Sequence, residues 1–246
     1  MPERRNWSED ETILAYYYFC QIPYNQISNP HNEEIVRIAG LIGRTIGSVQ
    51  LKMYNLAHFD PSVQSGGMPH GSKTDKDVVQ RFVSNWEDLV VAARLVESKL
   101  QSDINMPPSF PVGGEHNQTV RRRVNQDFFR DAVLAAYNNK CCITGIEIPD
   151  LLIASHIKPW RDSNPETERT NPSNGLCLNA LHDKAFDKGL ITVLPDYTIR
   201  VSSKLSQASE NLDWLRQCDN QKIILPGRFL PAKEFLEYHN DMIFVG

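Results

Sequence analysis

Residues 151–160 read LLIASHIKPW, and this segment decides how the C-terminal half of the chain folds. Residues 151–155 are typical of a buried strand, and the strand ends at His156. A histidine is costly in an apolar core unless it has a partner or a task. A hydrogen-bonded structural histidine and a functional histidine are therefore the two alternatives, and the surrounding sequence must distinguish them.

A second strand and a helix follow this segment. Residues 161–173 form a polar loop that contains proline, and residues 174–178, NGLCL, have the pattern of a second short strand. Residues 179–189, NALHDKAFDKG, indicate a helix that is closed by Gly189 at its C-terminal end. The order is therefore strand, loop, strand and helix.

Three polar residues stand at fixed places on these elements: His156, Asn174 eighteen residues later, and His182 eight residues further. The region resembles the HNH nuclease family, most of all the HNH domains of bacterial restriction endonucleases, over about residues 121–200. The resemblance includes CCITG before the first strand, ASHIKPW at the first histidine and NGLCLNALHDKAFDKGLI at the asparagine and second histidine. It implies a ββα-metal fold that binds one divalent metal ion.

Phosphodiester hydrolysis gives each of the three residues a role. His156, at a strand end and with a pKa expected near neutrality, can take the proton from water. His182, on the facing helix, can hold a metal ion that polarises the scissile phosphate. The resemblance implies that Asn174 fixes the loop that orients His156. The predicted catalytic residues are thus His156, Asn174 and His182, and the predicted metal ligand is His182. The expected ion is Mg²⁺, with Mn²⁺ or another divalent ion as the alternative.

The sequence departs from the family pattern in two respects. Many HNH enzymes have a metal-binding Asp or His before the general base, whereas this chain has Ser155. More of the coordination must then come from water, from substrate phosphate, or from Asp183 or Asp187. Many members also carry two C-x-x-C pairs that bind a structural zinc, and this chain has none. Packing alone must therefore stabilise the domain.

Composition limits the other classes of function. The 246-residue chain has a net charge of −4, so any binding to DNA must come from local basic patches. Its five cysteines form no C-x-x-C pair and indicate reduced thiols. No apolar run reaches membrane-spanning length, and the N-terminus lacks the pattern of a secretory signal. We therefore expect a soluble, cytoplasmic protein without a membrane partner.

The N-terminal half predicts helices. Residues 33–59 indicate two helices on either side of a break at residues 43–45, the pattern of a helix-turn-helix or winged helix, and residues 64–77 read as a loop or wing. The alternative is a plain helical hairpin. In the DNA-reading interpretation, the second helix presents Gln50, Lys52 and Asn55 to phosphates and base edges.

The domain boundary is expected at residues 105–118, NMPPSFPVGGEHNQ, which are rich in proline and glycine. We therefore predict an α+β chain with a helical DNA-recognition domain at residues 1–104, a linker at 105–118 and a ββα-metal nuclease domain at 119–246. A helix after the linker carries the densest basic patch, which is a further candidate for DNA contact: Arg121, Arg122 and Arg123.

The predicted function is a metal-dependent HNH endonuclease of restriction type that cuts double-stranded DNA. Modification dependence stays open, because the run YYYFCQIPY at residues 16–24 fits either a cage for a modified base or a helix core. A non-catalytic DNA-binding regulator and a secreted nuclease toxin are the alternatives. By analogy only, symmetric cleavage of a duplex predicts a homodimer.

Overall fold

The computed structural model describes residues 5–64, 66–103, 116–206 and 212–246; the side chains of residues 102–103, 116–121 and 206 lie outside this description. The chain divides into two compact units, residues 1–128 and residues 129–246. The described part of the first unit is helical, and the second unit contains two small antiparallel sheets among helices. The predicted mixture of helices and small sheets is therefore confirmed.

The elements follow one another in a simple order. The helices of the first unit are α1 (Glu9–Gln21), α2 (Glu33–Leu41), α3 (Ile46–Phe59), α4 (Lys73–Phe82) and α5 (Trp86–Asp103), and α6 (His116–Ala136) continues past its end. The second unit contains β1 (Leu152–His156), β2 (Gly175–Asn179), α7 (Ala180–Asp187), β3 (Ile191–Val193), β4 (Ile199–Val201), α8 (Asp213–Arg216) and α9 (Lys233–Met242).

The central helix of the first unit is α1. It begins at a capping box in which Ser8 and Glu11 satisfy each other's backbone amides, and every residue from Glu11 to Cys20 is buried. A helix that is buried on all sides belongs to a core. The Tyr16 and Tyr18 hydroxyls bond Asp60 and Glu97 inside the unit. The aromatic run at residues 16–19 is therefore helix core, and these rings are not available as a cage for a modified base.

The two helices predicted within residues 33–59 are confirmed as α2 and α3. Gly43 follows the C-cap of α2 with a left-handed φ of +63°, and Thr45 caps α3 by accepting a hydrogen bond from the Ser48 amide. Within the described residues of this unit no strand forms, so the winged-helix alternative is not confirmed. Helix α4 begins at Lys73, inside the segment predicted as a loop or wing, because Ser72 and Asp75 form a capping box there.

The second unit is built around the β1–β2 hairpin, in which Leu152 pairs with Asn179 and His156 pairs with Gly175. Helix α7 starts directly after β2 and packs on both strands. It ends at Asp187, and Gly189 follows the C-cap with a φ of +65°. The missing side chain of Gly189 leaves room for the Ile243 carbonyl oxygen, which would lie 2.1 Å from a Cβ placed there. The predicted strand, loop, strand and helix order is confirmed.

The predicted linker lies largely outside the described residues. Residues 104–115 are not described, and residues 116–118 form the first turn of α6. The boundary between the two compact units falls between Phe128 and Phe129 of the chain, within α6. The predicted domain limits of 1–104 and 119–246 stay a prediction. No helix among the described residues is long and apolar enough to cross a membrane.

Candidate active site

His156 ends β1 and is held from two sides. Its Nε2 lies 2.9 Å from the carbonyl oxygen of Arg169, and the Phe129 ring stacks on the imidazole at 3.7 Å between centroids with an interplanar angle of 13°. Because a carbonyl can only accept, Nε2 carries the proton and Nδ1 keeps its lone pair in the neutral ring. Burial lowers the pKa of His156 to about 4, which the bond to Arg169 opposes. The expected pKa near neutrality is thus wrong for the free protein.

Asn174 lies beside His156 and is fully buried. Its Oδ1 accepts a hydrogen bond from the Lys158 amide at 2.8 Å, and its Nδ2 donates to the carbonyl oxygens of Lys158 and Glu168 and to the Ser163 hydroxyl, at 3.2–3.3 Å. One side chain therefore joins both ends of the loop that follows His156. This loop also supplies the Arg169 carbonyl that fixes the histidine ring.

His182 lies in the first turn of α7 and is 3% exposed. Its Nδ1 is 3.1 Å from the side-chain oxygen of Asn179, the residue that caps this helix. Nδ1 is the donor in this contact, and the lone pair of the ring therefore lies on Nε2. That atom is buried without a hydrogen-bond partner, and burial lowers the pKa of His182. The exposed Trp214 ring meets the imidazole edge to face at 5.2 Å.

The residues next to the two histidines define what could bind a metal ion. Ser155 is buried, and its hydroxyl lies near the Asp183 carboxyl without hydrogen-bond geometry. Burial, reinforced by the charge of Asp187, raises the pKa of Asp183. No group of three or more His, Cys, Asp or Glu side chains within the described ranges could hold a metal ion. The lone pair of His182 Nε2, an unsatisfied buried atom, is the feature that fits a cation.

In the first unit the structure corrects one predicted DNA contact. Lys52 is 4% exposed and forms an ion pair with Asp75, which lies in the first turn of α4. Its ammonium group also lies 4.7 Å from the centre of the Trp7 ring. The prediction that Lys52 lies on an exposed polar face of α3 is therefore wrong, because a partner on another helix holds it inside the unit.

The other predicted DNA contacts differ in their surroundings. Gln50 and Asn55 are half-buried on α3, where Gln50 Nε2 and Asn55 Oδ1 are buried without hydrogen-bond partners. Arg122 and Arg123 are exposed on α6, and the Arg121 side chain lies outside the described residues. None of these residues belongs to the second unit, which contains the two histidines.

The hairpin and α7 define the class of this domain. Residues 141–194 match the family described as HNH endonuclease, so the chain carries an HNH domain in its second unit. Among solved structures, one chain titled "Modification dependent TagI restriction endonuclease" is similar, with 19% identity and a TM-score of 0.32. The alignment covers 58% of this chain and 42% of that chain, less than half of its length. No curated protein is similar enough to count as a match.

Sequence reasoning missed several groups that act on the two histidines. Phe129 and the carbonyl of Arg169 are far from His156 in the sequence, and a backbone carbonyl leaves no sequence signal at all. Asn179 did have a signal, because an asparagine directly before a helix is a typical N-cap. Asn179 lies three residues before His182, and this spacing also brings its side chain to the His182 ring.

Proposed function

We propose that this protein is a metal-dependent HNH endonuclease of restriction type that hydrolyses phosphodiester bonds in double-stranded DNA. The observation that carries the proposal is the state of the two histidines of the HNH domain. Each ring uses one nitrogen to bond a protein oxygen and keeps a lone pair on the other. One lone pair suits proton transfer, and the other suits a metal ion.

His156 would act as the general base. Its Nδ1 would take the proton from the attacking water, while the bond from Nε2 to the Arg169 carbonyl holds the ring and supports the positive charge that it gains. The free ring is a weak base because it is buried. A bound phosphate would favour the charged ring and so raise its pKa again. Asn174 would act by holding the loop that carries Arg169.

His182 would hold the metal ion through Nε2, with Ser155 and Asp183 as neighbouring oxygen donors. A divalent ion, Mg²⁺ first and Mn²⁺ as an alternative, would supply charge neutralisation at the scissile phosphate and support for the departing oxygen. Because Nε2 is buried, access to it requires movement of the groups that cover it, and the exposed Trp214 ring lies against this imidazole.

The first unit would read the DNA. Support comes from α2 and α3, two helices joined by a tight glycine turn, and from the half-buried residues Gln50 and Asn55 on α3, whose amide groups are of a type that pairs with base edges. Arg123 is exposed and would meet phosphates, and Arg121 and Arg122 are proposed to act with it. A requirement for modified DNA and a homodimer that cuts both strands are further parts of the proposal. The five cysteines are buried, which accords with the reduced thiols of a cytoplasmic protein.

The test of the nuclease proposal is cleavage of supercoiled plasmid, methylated and unmethylated, with Mg²⁺ or Mn²⁺. We expect EDTA to abolish cutting, and His156→Ala to reduce the rate by about 10²–10⁴, as for a lost general base. His182→Ala should abolish cutting or raise the metal concentration that it requires. His31→Ala, an exposed histidine on the first unit, is the matched control and should cut at the wild-type rate.

Cutting by His156→Ala at the wild-type rate would refute the assignment of the base. If the wild-type protein binds DNA but cuts neither plasmid with either metal ion, the result would favour the non-catalytic DNA-binding regulator. For the DNA-reading role, the double variant Gln50→Ala with Asn55→Ala should cut at many more positions than the discrete wild-type set, while the total rate of cutting stays at the wild-type level. An unchanged ladder of fragments would refute reading by α3.

A further inference from the structure

Asn179 stands where β2 ends and α7 begins, and one of its atoms receives three donors. The side-chain oxygen accepts hydrogen bonds from the Leu181 amide at 3.1 Å, the His182 amide at 3.0 Å and His182 Nδ1 at 3.1 Å. The first two contacts cap the helix. The third is a contact with a ring and has no part in capping.

The orientation of the Asn179 amide group is fixed by its other bonds. Its Nδ2 donates to the Thr144 hydroxyl at 3.2 Å, and its backbone amide donates to the Cys141 sulfur at 3.3 Å. Two backbone N–H groups of α7 also require an oxygen on the helix side. An amide turned by 180° would place an NH₂ group against these donors. The group that faces His182 Nδ1 is therefore an acceptor.

An acceptor at Nδ1 determines the tautomer of His182. The neutral ring must carry its proton on Nδ1, which leaves the lone pair on Nε2. This is the less common tautomer of free histidine. Nε2 is buried without any hydrogen-bond partner, and His182 as a whole residue is 3% exposed. A buried acceptor with no donor is rare and requires an explanation, and a cation bound to that lone pair is one.

We propose that Asn179 is a positioning residue that holds His182 in the tautomer and orientation required for metal binding through Nε2. The inference rests on the proposed function, in which His182 is the metal ligand. In metal sites, a partner that bonds the second nitrogen of a histidine ligand fixes its ring, and its loss weakens metal affinity by about 10–100-fold. Asn179 bonds the second ring nitrogen of His182 in this way, and the same residue also caps α7.

Three substitutions separate the two roles of Asn179. Asn179→Ser keeps a capping oxygen but is shorter by one atom, and we expect it to lose the bond to the ring. Asn179→Asp keeps an oxygen at the same reach, so it should retain both the helix cap and the contact with the His182 ring. Its second carboxylate oxygen would then accept a hydrogen bond from the Thr144 hydroxyl. Asn179→Ala removes both. The thermal midpoint should therefore stay near wild type for Asn179→Ser and Asn179→Asp, and fall for Asn179→Ala.

The first measurement is Mn²⁺ binding to the metal-free full-length protein by calorimetry. We expect Asn179→Ser and Asn179→Ala to weaken binding by about 10–100-fold and Asn179→Asp to stay within about threefold of wild type. The second is the tautomer of His182 in metal-free protein by long-range proton–nitrogen NMR. Wild type and Asn179→Asp should show the Nδ1–H form, and Asn179→Ser should shift toward Nε2–H.

The outcomes distinguish this inference from the proposal beneath it. If His182→Ala binds Mn²⁺ like wild type, His182 is not the ligand, and both the ligand assignment and this inference are overturned. If His182→Ala loses Mn²⁺ but Asn179→Ser keeps wild-type affinity, only the positioning role is overturned. A wild-type tautomer in Asn179→Ser overturns it too, independently of any metal.

Discussion

At the scale of single residues, the two histidines of the HNH domain are held in opposite tautomers. His156 donates from Nε2 to the Arg169 carbonyl, and His182 donates from Nδ1 to the Asn179 side chain. Burial lowers the pKa of both rings. Both histidines are consequently neutral at physiological pH, the state that a proton acceptor and a metal ligand both need.

The lowered pKa of His156 predicts the pH dependence of DNA cleavage. A general base must be unprotonated, so activity is lost as the pH falls through the pKa of the free enzyme. With a pKa of about 4, kcat/KM should stay high at pH 5.5 and decline only near pH 4. The measurement is kcat/KM from pH 4 to 8 at a fixed, saturating metal concentration. A decline centred at the ordinary histidine value, near pH 6.5, would contradict this prediction.

A substitution tests the cause of that shift. Phe129→Ala uncovers the imidazole of His156, and the loss of burial should move the decline in kcat/KM toward pH 6.5. Phe235→Ala also removes a buried phenylalanine of the same unit and serves as the control. Both changes should cost about 3–5 kcal/mol of stability. Only Phe129→Ala should change the pH profile.

At the scale of elements, α6 approaches the β hairpin at a glycine. A Cβ at Gly175 would lie 2.4 Å from Val133 Cγ2, 3.0 Å from Phe129 Cζ and 3.1 Å from the Pro172 carbonyl oxygen. Gly175 is also the strand partner of His156. The missing side chain thus lets the helix place Phe129 on the imidazole.

Gly175→Ala should therefore destabilise the protein by about 1–3 kcal/mol, the usual cost of overpacking. Gly227→Ala is the matched control, because its Cβ would meet only the Ala136 carbonyl oxygen, at 4.0 Å. The control should be neutral or slightly stabilising, since alanine loses less backbone entropy than glycine. Urea unfolding of both variants would measure the difference. Equal urea midpoints for the two variants would show that α6 moves away from the added methyl group at no cost in stability.

Local patterns predicted the elements of the HNH domain because its signals are local. The apolar runs, Asn174 and Gly189 each act within a few residues of their own position. The face of α3 was not predictable in this way, because Lys52 is buried by an ion pair with Asp75 from the next helix. A helical pattern shows which residues are polar but not which of them have partners elsewhere. The start of α4 was predictable from Ser72 and Asp75, a capping-box pattern.

The protonation of His156 was not predictable for the same reason. Its position at a strand end follows from the sequence of residues 151–160. Its pKa depends on Phe129 and its tautomer on the Arg169 carbonyl, and both are brought there by tertiary structure. Residue type and spacing thus predicted the candidate site residues, while their protonation and hydrogen bonding depend on contacts made in the folded chain.

At the scale of the whole molecule, a third histidine adds to the pH dependence of stability. His239 on α9 stacks on Phe186 at 3.7 Å, bonds the Phe186 carbonyl through Nε2, and has its pKa lowered to about 4 by burial. In the unfolded chain, His156 and His239 take up protons near pH 6.5, whereas the folded protein takes them up only near pH 4. Between these values the unfolded state binds more protons.

The free energy of unfolding should accordingly fall as the pH decreases from 6.5 to 4, and this contribution should level off below pH 4. Each of these histidines accounts for up to about 3 kcal/mol across that window. Urea unfolding at intervals from pH 4 to 7.5 measures the slope. His239→Gln cannot titrate there, so its slope should be shallower than that of wild type. An equal slope would show that His239 is not a source of the effect.

Each histidine of the HNH domain also has its own indole neighbour. Trp160 meets His156 edge to face at 5.5 Å, and Trp214 meets His182 in the same way at 5.2 Å. Indole fluorescence is quenched more strongly by a protonated imidazole than by a neutral one, so Trp160 and Trp214 can report on the two rings, above the constant emission expected from Trp7 and Trp86. In Trp214→Phe the Trp160 part of the emission should change near pH 4 as His156 gains its proton. In Trp160→Phe the addition of Mg²⁺ should alter the Trp214 part of the emission, and Trp160→Phe combined with His182→Ala should remove that response.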